Sequence, residues 1–320
     1  MTRVAAIDCG TNSVRLLIAD IDGDTLTDVE RRMEIVRLGQ GVDKTGRLAP
    51  EALDRTFTAM RGYAKLIAQH EASAVRVVAT SATRDAVNRQ DFVDGVREIF
   101  GVDPEVITGA EEAELSFTGA TRDLTRLSPE TGLPTPDGTR PPYLVVDIGG
   151  GSTEFVVGST HVEAALSMDI GCVRLTERHL REAGNPPRAE AMEAVIADID
   201  DALDRVAAEV PVERALTLVG LAGSVTTVAG MALELPEYDP ARIHHSRITA
   251  NQTHGISVRL LAMTTQERAA IPVMHPGRVD VIGVGALILD RIVERYGFTE
   301  VVVSEHDILD GIAWSVTESQ

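Results

Sequence analysis

Three short stretches rich in glycine, serine, threonine and asparagine each follow an apolar run, and they are where this chain could do chemistry. Gly10, Thr11, Asn12 and Ser13 follow Val4 to Ile7. Gly149, Gly150, Gly151, Ser152 and Thr153 follow Tyr143 to Val146. Residues 220–227 (GLAGSVTT), with Gly223, Ser224 and Thr226, follow Leu216 to Val219. Glycine lets a backbone approach a ligand and aim its N–H groups at it, and hydroxyls add further donors. A phosphate chain needs many donors and little bulk, so all three stretches read as phosphate cradles. One alone would read equally well as a simple turn; three in one chain favour phosphate. None fits the P-loop pattern, and none fits the strand–GxGxxG–helix dinucleotide pattern. The stretch at Gly149 runs into a second apolar strand, which argues against a Rossmann site.

Acids stand beside two of these stretches. Asp8 and Asp147 end the preceding apolar runs, and Glu154 follows Thr153. Phosphoryl transfer to water needs charge neutralised on phosphate oxygens, and magnesium takes a few carboxylates plus waters. A hydrogen-bonded turn aspartate is the plainer alternative. Glu111 and Glu112 lie after Gly109-Ala110 at an expected helix start; a base for water is one reading, and the favourable helix dipole is the one that position alone prefers. Arg84, again after a strand, could hold a phosphate with its guanidinium. Arg15 is left open between ligand and structural ion pair. His244, His245 and His254 form no H-x-x-x-H pattern, so no zinc cluster is expected. No GxSxG elbow occurs, which sets serine-hydrolase chemistry aside.

The elements that must position these residues follow from periodicity. Val4 to Ile7 and Val14 to Ala19 read as strands, and Asp22-Gly23-Asp24 as the next turn of a β-meander. A helix over 50–69 presents Leu53, Phe57, Met60, Ala64 and Ile67 on one face. Val75 to Ala79 is a strand; Asn88 caps a helix that Gly101 ends. Strands are expected at 106–107, 216–219 and 301–304. Helices are expected from 111, over 189–206, after residue 227, over 278–293 and over 308–316. Residues 128–142 (SPETGLPTPDGTRPP) read as a loop or linker. The opening segment VAAIDCGTNSVRLLIA also repeats as YLVVDIGGGSTEFVVG at a constant offset, which suggests two related domains. Alternating strands and helices give an α/β class. The expected domains are 1–125 and 126–320, with the last helix packing back on the first.

Composition limits the function further. The 320 residues carry 30 Lys and Arg against 49 Asp and Glu, a formal charge of −19, which excludes a generally basic nucleic-acid surface. Aromatics are 3%, too few for a base-stacking platform. Two cysteines, Cys9 and Cys172, make no disulfide scaffold. No leader-like N-terminus and no run long enough to span a membrane is apparent. The expectation is a soluble cytoplasmic protein with no membrane or nucleic-acid partner.

The segments AIDCGTNSVRLLIAD, VVATSATRDAVN, VITGAEEAELSF, VVDIGGGSTEFVVG, GLAGSVTTVAG and ERAAIPVMHPGRVDVIGVGALIL occur in this order over residues 3 to 290. Together they resemble the exopolyphosphatase and guanosine pentaphosphate phosphohydrolase family. The resemblance implies two ribonuclease-H-like domains, of the type shared by actin, sugar kinases and heat-shock ATPases, around a central cleft. It implies hydrolysis of terminal phosphoanhydrides, from inorganic polyphosphate or from guanosine pentaphosphate. It places the catalytic glutamate on Glu112, which reverses the reading from position alone, and the phosphate-contacting arginine on Arg84. It places metal- and water-associated acids on Asp147 and Glu154, with Asp8 on the opposite wall, and Mg2+ as cofactor. The phosphate loops fall on the three stretches named above.

Two departures from the family pattern accompany the resemblance. The chain lacks the long C-terminal extension of many members and is similar to the short, two-domain form. The late segment usually reads VSxxGLREG; here Asp307 replaces the glycine and Leu309 the arginine. Polyphosphate is the favoured substrate, because repeated phosphates need only a donor-lined groove. Guanosine pentaphosphate hydrolysis, a kinase or ATPase of the same fold, and a polyphosphate or pentaphosphate sensor with weak turnover are the alternatives. A homodimer is left open.

Overall fold

The computed structural model describes residues 2–124 and 138–318. The chain divides into two compact units, Met1–Gly119 with Ile308–Gln320, and Ala120–Asp307. The boundary expected at 125/126 lies outside the described residues, as do residues 128–137 of the expected loop.

The first unit is built on a five-stranded sheet. Its strands are β1 (Thr2–Cys9), β2 (Ser13–Asp22), β3 (Thr25–Ile35), β4 (Ala74–Ala79) and β5 (Glu105–Val106), in the order β3-β2-β1-β4-β5. β1, β2 and β3 form the antiparallel meander; β4 and β5 add in parallel. A central strand covered on both faces reads as an unbroken apolar run, and β1 does. Successive side chains leave it on opposite faces. Ala5, Ile7 and Cys9 enter one core, with Met60, Phe92 and Val96 from the helices Pro50–Gln69 and Arg89–Phe100. Val4 and Ala6 enter the other, closed by Ile308, Leu309, Ile312, Ala313 and Trp314 of the helix Ile308–Glu318. Leu309 thus sits in a core where the family's pattern has an arginine.

The second unit repeats the plan. Its strands are β6 (Tyr143–Ile148), β7 (Thr153–Gly158), β8 (Val162–Met168), β9 (Thr217–Leu221), β10 (Arg247–Thr249) and β11 (Glu300–Val303), ordered β10-β11-β9-β6-β7-β8. Again three strands make an antiparallel meander, and the first of them pairs in parallel with the strand that follows. β10 is the addition, antiparallel to β11. The fold is α/β with two similarly built units. One apolar core joins this sheet to the helices Ala189–Glu209, Ala222–Ala232, Ala250–Ala262 and Ile282–Tyr296.

Several local expectations change. Residues 220–227 are largely helix, which begins at Ala222 rather than after a turn. The composition that suggested a loop instead serves close packing: a Cβ on Gly220 would lie 2.8 Å from Val225 Cγ1, and one on Gly230 3.2 Å from Val273. The helix expected from 278 begins at Ile282, preceded by a short 3-10 turn over Pro276–Arg278. Asn88 stands at the N-cap position but makes no cap bond. Its amide spans to Leu48, accepting from Leu48 N at 2.8 Å and donating to Leu48 O at 3.1 Å. β8, β10 and the helix Ala250–Ala262 carried no sequence expectation. Among the described residues no helix is long and apolar enough to cross a membrane.

Candidate functional site

The two hairpin loops close with the same internal bond. Gly10 N donates to Ser13 O at 2.9 Å, and Gly149 N to Ser152 O at 3.1 Å. In each unit the chain beyond the third strand returns and takes up the loop's carbonyls. In the first, Thr11 O accepts from Gly39 N (2.8 Å) and Asn12 O from Val36 N and Arg37 N (3.0 and 2.8 Å). In the second, Gly149 O accepts from Cys172 N (3.0 Å) and Gly150 O from Val173 N and Arg174 N (2.9 and 3.0 Å). Gly151 O accepts from Arg174 Nε at 2.6 Å.

A trans peptide points its C=O and the next N–H in opposite directions. Clamping those carbonyls therefore turns the amides of Asn12 and Ser13, and of Gly150, Gly151 and Ser152, away from the clamp. Successive amides presented this way make an anion-binding nest. Close approach is needed to build it: a Cβ on Gly171 would collide with the Gly150 backbone, and one on Gly39 with Thr11. Thr11 Oγ1 is 2.9 Å from Ser81 Oγ, which joins the first loop to the start of the helix Ser81–Asp85.

The acids at the strand ends differ between the units. Asp8 pairs in register with Arg15, and Asp147 with Glu154. Arg15 donates to Asp8 Oδ2 through Nε (2.9 Å) and Nη2 (2.6 Å), so the arginine left open by sequence is an ion-pair partner. In the second unit the equivalent pair is two carboxylates, with Asp147 7% and Glu154 1% exposed. Directly opposed residues share a face, and like charges there are unfavourable. Ser167 Oγ donates to Glu154 Oε1 at 2.7 Å. Two buried carboxylates at one level are the all-oxygen donor set that suits Mg2+. Asp8 already has a countercharge on Oδ2, so it is the weaker of the three metal candidates.

The adjacent glutamates Glu111 and Glu112 are separated by the geometry of one helix start. Thr108 and Glu111 form a reciprocal cap on the helix Gly109–Thr121. Thr108 N and Oγ1 donate to Glu111 Oε2 (2.8 and 2.9 Å), and Glu111 N donates back to Thr108 Oγ1 (3.2 Å). The backbone N–H of Thr108, with its hydroxyl, holds the exposed Glu111 carboxyl below the usual glutamate range. Glu112, one residue on, is 7% exposed. Its Oε2 accepts from Arg84 Nη1 at 3.0 Å, and the same nitrogen donates to Ile107 O at 3.0 Å. Arg84 lies on the helix Ser81–Asp85, directly after β4. Thus the first unit brings Glu112 and Arg84 together as an ion pair, near the end of the short strand β5.

The third stretch is used differently. Thr227 Oγ1 donates to Gly223 O at 2.6 Å, and Thr226 Oγ1 lies 2.8 Å from Tyr238 Oη, whose proton goes to Glu305. A Cβ on Gly223 would strike the Arg278 guanidinium, and one on Gly285 the Ser224 hydroxyl. Cys172, pushed up to about 11 by burial while Ser224 and Arg278 pull it down, lies beside them. The sequence reading missed Arg278 as a cation on a glycine-rich segment; the signal was its place in a Pro-Gly-Arg turn. It also missed Tyr238, whose phenol burial and Glu305 push upward in pKa. No zinc cluster is expected around His244, His245 and His254; among the described residues, Asp123, His244 and His306 meet although far apart in sequence.

Two α/β units each carry an amide-lined hairpin loop, one with a buried glutamate–arginine pair and the other with paired carboxylates, and these are groups that phosphate chemistry can use. The chain belongs to the Ppx/GppA phosphatase family, matching it over residues 17–319. It is 48% identical over 329 residues to exopolyphosphatase 2 of Mycobacterium tuberculosis, with 99% of each chain covered. The crystal structure of an exopolyphosphatase-like protein superposes with a TM-score of 0.92 at 43% identity, covering 98% of this chain and 97% of that one. An exopolyphosphatase from Cytophaga hutchinsonii superposes with a TM-score of 0.86 at 26% identity, covering 99% and 98%.

Proposed function

We propose that this protein is an exopolyphosphatase that releases terminal phosphate from inorganic polyphosphate by in-line attack of water. The observation that carries the reading is the Glu112–Arg84 pair: the cap occupies Glu111 and leaves Glu112 buried against a cation. Glu112 takes a proton from water while the water oxygen attacks the terminal phosphorus. The phosphoanhydride bond breaks, and orthophosphate leaves a polymer one unit shorter. Arg84 steadies the carboxylate and adds positive charge for phosphate oxygens. In each unit the outward amides of the hairpin loop offer donors for phosphate oxygens. Asp147 and Glu154 would hold Mg2+, which supplies charge neutralisation to those oxygens when bound.

The names of the relatives support polyphosphate, as does an aromatic content too low to offer much stacking for guanine. The strand order common to both units supports placing them among the ribonuclease-H-like domains of actin, sugar kinases and heat-shock ATPases. The test is phosphate release, with Mg2+, from long-chain polyphosphate, guanosine pentaphosphate and ATP in parallel, with Glu112→Gln as control. Release from polyphosphate that the variant loses supports the proposal. Faster release from guanosine pentaphosphate would reassign the substrate. Binding without release, unchanged by the variant, would make the protein a sensor.

A further inference from the structure

Asp123, His244 and His306 reach one place in the second unit from three separate stretches. Asp123 follows the helix Gly109–Thr121, His244 ends the helix Pro240–Ile243, and His306 follows β11. Each offers one ligand atom, and these atoms lie within 4.8 Å of one another. His306 Nδ1 is 2.8 Å from Asp123 Oδ2. The rings of His244 and His306 lie 4.4 Å apart, and His245 stacks on His244 at 3.8 Å. All three ligand candidates are half-buried.

Their backbone and rings are held in place. Ser304 Oγ accepts from His306 N at 3.0 Å and donates to His306 O at 2.7 Å. Glu305 N donates to His244 Nδ1 through a long bond of 3.2 Å. The Glu305 side chain is in turn fixed by Tyr238 Oη at 2.6 Å.

We propose that Asp123, His244 and His306 form a binding site for a divalent transition-metal ion of the zinc class. Two imidazoles and one carboxylate suit such an ion, whereas Mg2+ prefers oxygen alone. Zinc–ligand bonds of about 2.0–2.2 Å set tetrahedral ligand atoms roughly 3.3–3.5 Å apart, so the His306–Asp123 pair opens slightly and no pair closes by more than about 1.5 Å. The ion displaces the proton shared by His306 and Asp123 and takes over the long contact at His244, leaving a fourth position for water. The site differs from the oxygen-only pair Asp147 and Glu154 and does not depend on the proposed hydrolase activity. Its place in the chain gives it a consequence. Asp123 lies just past the passage from the first unit into the second at 119/120, and His306 just before the return at 307/308. A bound ion ties these two segments together within the second unit.

The test is calorimetric titration of the chelator-stripped, full-length protein with zinc chloride alone, repeated in millimolar Mg2+. One zinc per chain, undisturbed by Mg2+, is expected. Asp123→Asn, His244→Gln and His306→Gln should each weaken binding by about tenfold or more. His179→Gln and His254→Gln remove imidazoles paired with Asp198 (2.8 Å) and Asp290 (3.1 Å) and should leave it unchanged. Circular dichroism checks that each variant is folded, and Asp123→Asn, the smallest change, carries the test if a histidine variant is not. No zinc uptake by the unaltered protein would overturn the proposal. So would displacement by Mg2+, or uptake that survives all three substitutions.

Discussion

At the residue scale the geometry distinguishes two adjacent glutamates. Glu111 closes a cap, and Glu112 faces Arg84. Glu111→Ala is expected to cost about 1 kcal/mol of stability while leaving phosphate release nearly intact. Glu112→Gln should remove release, by 100-fold or more on the order expected for a catalytic base, with little loss of stability. The pH dependence of the cap follows from its sign. The folded Glu111 carboxyl sits below its ordinary value, so its contribution is complete above the usual glutamate range and lost as pH falls through the depressed value. The difference in Tm between the unaltered protein and Glu111→Ala should therefore be full at neutral pH and shrink as pH falls below the usual glutamate range. The paired carboxylates give a different expectation. Asp147→Asn or Glu154→Gln should raise the Mg2+ concentration needed for half-maximal release, measured by titrating Mg2+ at saturating polyphosphate. An unchanged requirement would place the cation elsewhere.

At the scale of elements, close backbone approaches position the chemistry. Gly311 of the helix Ile308–Glu318 lies against the Leu115 backbone, about one turn along the helix Gly109–Thr121 from Glu112. Gly311→Ala should cost about 1–3 kcal/mol through overpacking, seen as a lower denaturant midpoint. Because the helix must shift to make room, kcat should fall further than KM rises. Gly171 does the same for the Gly150 clamp, since any side chain there meets the loop's backbone. Elements of this kind were partly readable. The hairpins at 4–19 and 143–157 announce themselves by apolar runs ending in Asp and Gly. The helix Ala222–Ala232 did not, because its glycines, serine and threonines serve buried packing rather than a turn.

At the scale of the whole molecule, the chain leaves its first unit at 119/120 and rejoins it at 307/308. Ile308, Leu309, Ile312, Ala313 and Trp314 fill one of that unit's two cores. Both cysteines are buried, with Cys9 pushed well up by burial and Cys172 to about 11. Neither forms much thiolate at neutral pH, so thiol labelling should proceed only through opening of the fold. Labelling at pH 7.5 is expected to be slow and to accelerate in step with urea unfolding. Rapid labelling of folded protein would show that the glycine clamp beside Cys172 opens locally.

The sequence by itself determined the α/β class, the doubled hairpin and the acids at its strand ends, because strand periodicity and small-residue turns are local properties. It also carried the family's segments, and with them the expectation that Glu112 and Arg84 belong to the site. Only the tertiary structure decided the partners. Arg15 on Asp8 against Glu154 on Asp147 is a matter of strand register. Arg278 over Gly223, the Gly171 clamp, and the meeting of Asp123 with His244 and His306 join residues far apart in the chain. Such contacts form when separate elements pack, and no spacing along the sequence encodes them.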